Sequence, residues 1–204
     1  MLGLRIFFAV STIPVRHEEI LRAEAASRRK FTLLLSLLPA RELVPGLKEL
    51  AKYLVFTGRL ISAKDALSIG LIDYVFEPAE TDEKLNSLIA AGKLVPQKGK
   101  KTEDLPPEWR QIKELFADEH VGDWLAGKYL DSSDPVAAKT AKMIQSKAPL
   151  ALRMANRIID DGYKLPLAQG LKEELAHLNE IFSTADALTG LTSVGKGRPT
   201  FQGK

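Results

Sequence analysis

The stretch Phe56–Phe76, FTGRLISAKDALSIGLIDYVF, constrains the fold more than any other part of the chain. It reads as a helix end, a tight turn, a short capped helix and a strand. Gly58 stands where a helix needs a left-handed residue just past its C-terminus. Ser62 is placed to cap the next helix, with Asp65 three residues on as a weak capping box. Gly70 ends that helix, and Leu71–Phe76 is apolar and β-branched enough to be a strand. Upstream, Leu47, Leu50, Ala51, Leu54 and Val55 recur at helical spacing and lead into Gly58.

At 204 residues the chain can bury a sizeable core, as one domain or as one domain with an appendage. Its 29 Lys+Arg against 26 Asp+Glu leave a net charge of +3. That surplus is too small to imply nucleic acid, and no recognition motif or interleaved aromatics accompany it, so a nucleic-acid partner is not expected. It suits a basic pocket for a phosphorylated ligand equally well. The absence of Cys excludes disulfides, thiolate metal sites and Cys nucleophiles. His17, His120 and His177 lie far apart without a metal-ligand spacing, so no metal is expected. Met1–Val10 is apolar, but Arg5 interrupts it and it lacks the basic start and cleavage site of a signal peptide. No run approaches the ~20 apolar residues that span a bilayer. The expectation is a cytoplasmic protein with no membrane partner.

Within residues 1–45, Ile6–Val10 suits a strand, His17–Lys30 a basic helix, and Phe31–Leu38 a buried strand or short helix. Asp82–Ala91 suits a short helix. Gly92–Pro107, with Lys93, Lys98, Lys100 and Lys101 among glycines and prolines, reads as a surface loop. Such a basic loop is usually only a solvated one; the functional alternative is a phosphate-binding flap. Trp109–Leu125 reads as one helix with Ile112, Leu115, Phe116 and Trp124 available to pack. Asp134 and Pro135 form a helix start that opens Val136–Ser146. Pro149 opens another helix, where Leu150, Met154 and Ile158 share a face and Gly162 closes it. From Pro166, a coiled-coil-like seam runs through Leu171, Leu175, Leu178 and Phe182. Asp186–Val194 forms a last short helix before the basic tail GKGRPTFQGK. These amphipathic faces suit an oligomerisation layer or burial within their own subunit.

The Phe56–Phe76 block resembles the "TGR-x-IS/TA-x-EA-x-x-x-GLV-x-x-V" segment of the enoyl-CoA hydratase (crotonase) superfamily. APLALRMANRIIDDG is similar to its "P-x-A-x-x-x-x-K-x-x-x-x-x-G" helix. The stretch from Leu171 to Lys204 is similar to its closing "E-x-x-x-F-x-T-x-D-x-x-E-G-x-x-A-F-x-E-K-R-x-P-x-F-x-G-K". Glu80–Gln145 is similar to the longer insertion of 3-hydroxyisobutyryl-CoA hydrolases. It also resembles the hydratase domain of archaeal fusions with 3-hydroxyacyl-CoA dehydrogenase. The resemblance implies an α/β chain trending to mostly α, the remnant of a ββα spiral followed by C-terminal helices. Residues 1–76 would be the truncated or divergent core, 77–108 an insertion and basic linker, and 109–204 a helical region.

The family's chemistry uses two glutamates that hold a water for addition to a 2-enoyl-CoA, with backbone N–H groups polarising the thioester carbonyl. Neither glutamate motif is present. In KFTLLLSLLPARELVP, Thr32 stands at the position of one glutamate and Ser36 at that of a glycine, and no G-G-G-x-E occurs. No catalytic residue carries over. Glu18, Glu19, Glu24 and Glu42 suit a solvated helix face better than a catalytic role. For ligand binding, Phe182, Lys196 and Arg198 fall at or near the positions that reach the nucleotide part of CoA, often in a neighbouring subunit. Lys and Arg suit phosphates as an ion pair and a bidentate fork, although a basic tail without a ligand explains them as well. Lys52 and Arg59 are weaker candidates.

The resemblance therefore implies an enoyl-CoA hydratase-like protein of acyl-CoA (fatty acid) metabolism, a partial or degenerate domain lacking the usual glutamates, with an acyl-CoA thioester as its partner and no separate cofactor. A homo-oligomer, trimer or hexamer, or an assembly with an intact homologue is expected with it. Thioester hydrolysis is the alternative within the family. A non-catalytic helical oligomerisation or interaction module is the alternative outside it.

Overall fold

A computed structural model of the chain describes residues 48–71, 74–76, 78–91, 102–194 and 196–204. The expectations for Ile6–Val10, His17–Lys30, Phe31–Leu38 and the Lys93–Lys101 loop fall outside the described residues. Among those residues every regular element is helical. The α/β expectation is therefore met only in its helical part. The strand expected at Leu71–Phe76 does not form in its described residues: 74–76 carry no regular structure, and Tyr74 and Val75 are exposed. A strand needs a neighbouring edge for its N–H and C=O groups, and no other strand exists among the described residues to supply one.

The first helix, α1 (Lys48–Thr57), ends as the sequence requires. Gly58 takes φ +62° and donates its N–H to the Leu54 carbonyl. Ser62 caps α2 (Ala63–Ser68) by accepting the Asp65 N–H at 3.0 Å, and its hydroxyl donates to the Asp65 carboxylate at 2.7 Å. Gly70, with φ +75°, then turns the chain away. Next comes α3 (Thr81–Ala90).

The expected Trp109–Leu125 helix is two helices, α4 (Pro107–Leu115) and α5 (Asp118–Leu125). Packing causes the break. The Trp124 indole N–H donates to the Leu115 carbonyl at 2.7 Å, which satisfies an acceptor that a continuous helix would have used itself. Phe116, fully buried at the break, stacks on Trp124 with ring centroids 5.0 Å apart. Asp134 caps α6 (Pro135–Gln145) by accepting the Val136 N–H at 2.9 Å. Then follow α7 (Pro149–Gly162) and α8 (Leu167–Ala176). After His177 come α9 (Leu178–Phe182) and α10 (Ala185–Thr192).

α1 lies at the centre, in contact with α4, α6 and α7. Its buried Leu50, Tyr53, Leu54 and Phe56 meet Trp109, Ile112 and Phe116 of the α4 region, Trp124 of α5, Ala141 and Ile144 of α6, and Leu152 of α7. The aromatic rings meet mainly edge to face, Tyr53 with Trp109 at 5.9 Å and with Phe116 at 5.4 Å. Helix α8 packs against α7, α9 touches it more lightly, and α8 to α10 leave much of their apolar surface uncovered.

Candidate functional site

Two neighbouring features carry the expected ligand residues: the α8–α10 face and the C-terminal tail. Thr184 starts α10 by accepting the Ala187 N–H at 3.1 Å. Two residues into the turn, Asp186 is buried, an unusual place for a lone carboxylate. It is satisfied by the tail. Its two oxygens accept the backbone N–H groups of Gln202 at 2.7 Å and Gly203 at 2.8 Å, and its own N–H donates to the Lys204 carbonyl at 3.0 Å. Phe201 lies against Gly190, where an added Cβ would stand 3.6 Å from its ring, and Gly203 takes φ +74° beside Pro149. The tail is thereby folded back along α10 and tied to the start of α7.

Lys196 and Arg198 lie in this closed loop, exposed, and neither side chain has an ion pair among the described residues. The loop begins at the Lys196 N–H, which donates to the Ser193 carbonyl at 2.9 Å. Phe182 is the last residue of α9 and is 62 % exposed. No hydrogen bond, ion pair or cation–π contact joins Phe182 to the two cations among the described residues. Asp186 escaped the sequence reading, although an acid just inside a Thr-capped helix ahead of a Gly-rich tail is a signal that could have found it.

Lys52 is not available to a ligand. Its side chain is 1 % exposed, and its ammonium group lies 2.7 Å from Asp160 of α7 and 3.0 Å from Asp118 of α5. Lys48, one turn earlier, pairs with the same two acids. The four groups form a neutral quartet that ties α1 to α5 and α7. Burial pushes the Asp118 carboxyl up, but hydrogen bonds from Lys48 and Lys52 outweigh it and hold the group below its ordinary range. Burial likewise depresses the Lys48 ammonium, and Asp118 and Asp160 reverse that, leaving it raised. Arg59 is also engaged: its guanidinium donates to the Tyr53 hydroxyl at 2.8 Å, meets Glu108 at 3.0 Å and lies over the Trp109 ring. Nothing in the first turn of α1 or in Phe56–Gly58 signals this commitment of Lys52, because both acids come from distant segments.

Among the described residues no cluster of acids and histidines could hold a metal ion, and no helix is long and apolar enough to cross a membrane. The sequence pattern of the enoyl-CoA hydratase/isomerase family matches residues 41–201, most of the chain. The chain belongs to that family. The chain is also similar to a probable mitochondrial enoyl-CoA hydratase 2 of Arabidopsis thaliana, 35 % identical over 68 residues. That match covers 33 % of this chain and only 23 % of the plant protein. No solved structure matches the chain significantly.

Proposed function

We propose that this chain is an enoyl-CoA hydratase-like protein of acyl-CoA (fatty acid) metabolism that binds the nucleotide part of an acyl-CoA thioester on its C-terminal surface. The observation that carries the reading is the Asp186 clasp. It converts the last residues from a free tail into a closed loop and holds the exposed Lys196 and Arg198 beside α10, with Phe182 on the preceding helix. Two cations on a short tethered loop lose less freedom on meeting phosphate than two on a free tail, so binding is favoured by preorganisation. Phe182 offers a ring for the adenine. CoA enters as part of the substrate, and no separate cofactor is invoked.

Water addition to a 2-enoyl-CoA is the family reaction we favour, with thioester hydrolysis as the alternative. The relatives expected are the hydratase domains of 3-hydroxyacyl-CoA dehydrogenase fusions and 3-hydroxyisobutyryl-CoA hydrolases. The sequence carries no counterpart of the two catalytic glutamates, so binding without turnover is the expected behaviour of the chain by itself. Isothermal titration with acetyl-CoA tests the reading, together with loss of the 2-enoyl thioester absorbance of crotonyl-CoA. Replacing Lys196 and Arg198 together by Ala is expected to weaken binding about tenfold, or about 1.4 kcal/mol. Absence of acetyl-CoA binding by the unaltered chain sinks the reading.

A second reading, a helical assembly module, is favoured by a specific surface. Leu175 of α8, Leu178 and Phe182 of α9, and Leu188, Leu191 and Val194 of α10 and the turn after it are all well exposed. A ridge of this kind is suited to a partner, and we propose a second copy, in a trimer or hexamer, or an intact homologue. Light scattering of Leu178→Glu/Phe182→Glu against the unaltered chain tests it; an unchanged mass that is monomeric in both removes self-assembly.

A further inference from the structure

α8 and α9 are separated by a single residue, His177, at φ −91°, ψ −2°. A sequence seam that ran unbroken through Leu171, Leu175, Leu178 and Phe182 is thus interrupted at an imidazole. Its Nε2 lies 3.0 Å from the Glu173 carboxylate of α8, and its Nδ1 lies 3.1 Å from the Glu180 carboxylate of α9. From α7, one Arg157 guanidinium nitrogen lies over the ring, 2.8 Å from Nδ1 and 3.3 Å from Nε2, and 3.2 Å from Glu180. Glu173, Glu180 and Arg157 are the charged groups that face the ring, and they come from the three helices that meet there.

This constellation cannot be satisfied in one way at every pH. With both ring nitrogens protonated, each N–H has a carboxylate to donate to, and Arg157 keeps only Glu180 as its acceptor. With one proton lost and Nε2–H still bonded to Glu173, Nδ1 becomes an acceptor. Its lone pair then faces the Glu180 carboxylate. In this tautomer, loss of the proton therefore gives up the tie from His177 to Glu180 of α9, and Glu180 is left with Arg157 alone. Glu173, then Glu180, hold the imidazole pKa above its ordinary value, and together they outweigh desolvation and Arg157, which lower it.

α9 has five residues, too few to persist as a helix without outside anchors, since isolated helices shorter than about 12 residues are marginal in water. It also carries Leu178 and Phe182 of the exposed ridge. We propose that His177 is a proton-operated latch at the α8–α9 break, its charged form fastening α9 through Glu180 and so fixing how Leu178 and Phe182 are presented. The latch acts on α9 itself and does not rest on the acyl-CoA reading. Because the folded pKa is raised, the fastening is complete at pH below the ordinary imidazole value. It is lost as pH rises through the folded value.

The test is an NMR titration of the full chain from mildly acidic to mildly alkaline pH. The His177 ring protons and amide exchange of residues 178–182, corrected for intrinsic base catalysis, are followed together. The expected result is a His177 midpoint above that of an ordinary imidazole and a severalfold loss of amide protection across it. In His177→Gln that pH dependence should vanish. If this variant fails to fold, Glu180→Gln must lower the His177 midpoint. A midpoint at or below the ordinary value, protection with the same pH dependence in His177→Gln, or a midpoint unmoved by Glu180→Gln overturns the proposal.

Discussion

Replacing Asp160 by Ala is expected to destabilise the fold far more than replacing its partner Lys52 by Met. Lys52 Nζ lies 2.7 Å from Asp160 and 3.0 Å from Asp118, with the Lys52 side chain 1 % exposed. Asp160 is 29 % exposed and Asp118 is 59 % exposed, so the charge at the bottom of the quartet depends chiefly on Asp160. Removing one member of a fully buried pair costs about 3–5 kcal/mol, because the remaining charge is left without compensation. Here Asp118 stays behind and part of the quartet is wet, which reduces the figure to about 2–3 kcal/mol. At about 2–4 °C per kcal/mol for a chain of this size, Tm falls by about 4–12 °C. Lys52→Met instead removes the buried charge and keeps an apolar stem of similar length, while Asp160 retains Lys48 at 3.1 Å. Its cost should stay below about 1 kcal/mol. Urea unfolding followed by far-ultraviolet circular dichroism, with calorimetric melting of the same variants, provides the comparison. Asp160→Ala within about 0.5 kcal/mol of the unaltered chain, or Lys52→Met costing more than Asp160→Ala, refutes the reasoning.

Asp186→Ala removes the acceptor of two backbone N–H groups and should lower stability by about 2 kcal/mol. The Gln202 and Gly203 amides should then lose their protection in hydrogen exchange. Trp124→Phe keeps the stack on Phe116 but leaves the Leu115 carbonyl without its donor, at about 1–2 kcal/mol, measured as a shift in the denaturation midpoint with an unchanged slope. For acid, the Asp118 carboxyl titrates below its ordinary value, so its contribution is complete above about pH 4 and disappears as pH falls through the lowered folded value. Asp118→Asn should flatten that part of the stability profile, which chemical denaturation at a series of acidic pH values reads directly.

Helix punctuation was legible because it is local. Gly58 needs only its own freedom at positive φ, Ser62 reaches an N–H three residues on, and Asp134 with Pro135 starts a helix whatever surrounds it. The same holds for Pro149, which opens α7 where expected. These signals determined the ends of α1, α2, α6 and α7 where a cap or a glycine sets them, and with the family pattern they determined what kind of chain this is. At the C-terminal end, the pattern named Phe182, Lys196 and Arg198 as candidates, whereas the clasp that closes the loop carrying the two cations could not be read from it.

The rest was decided by contacts between residues far apart in the chain. The break at Phe116 exists because Trp124 supplies a donor to Leu115 and a ring to stack on Phe116. Without that packing, residues 109–125 are a good single helix. Lys52 looks like any solvent-facing lysine until Asp118 and Asp160 arrive from two other helices and make its burial tolerable. Leu71–Phe76 has a strand's composition, but a strand is completed by its neighbour, and residues 74–76 have none among the described residues. Local geometry is set within a few residues and can be read along the sequence. The burial of a charge, the breaking of a helix and the pairing of a strand depend on partners that only the folded chain brings together.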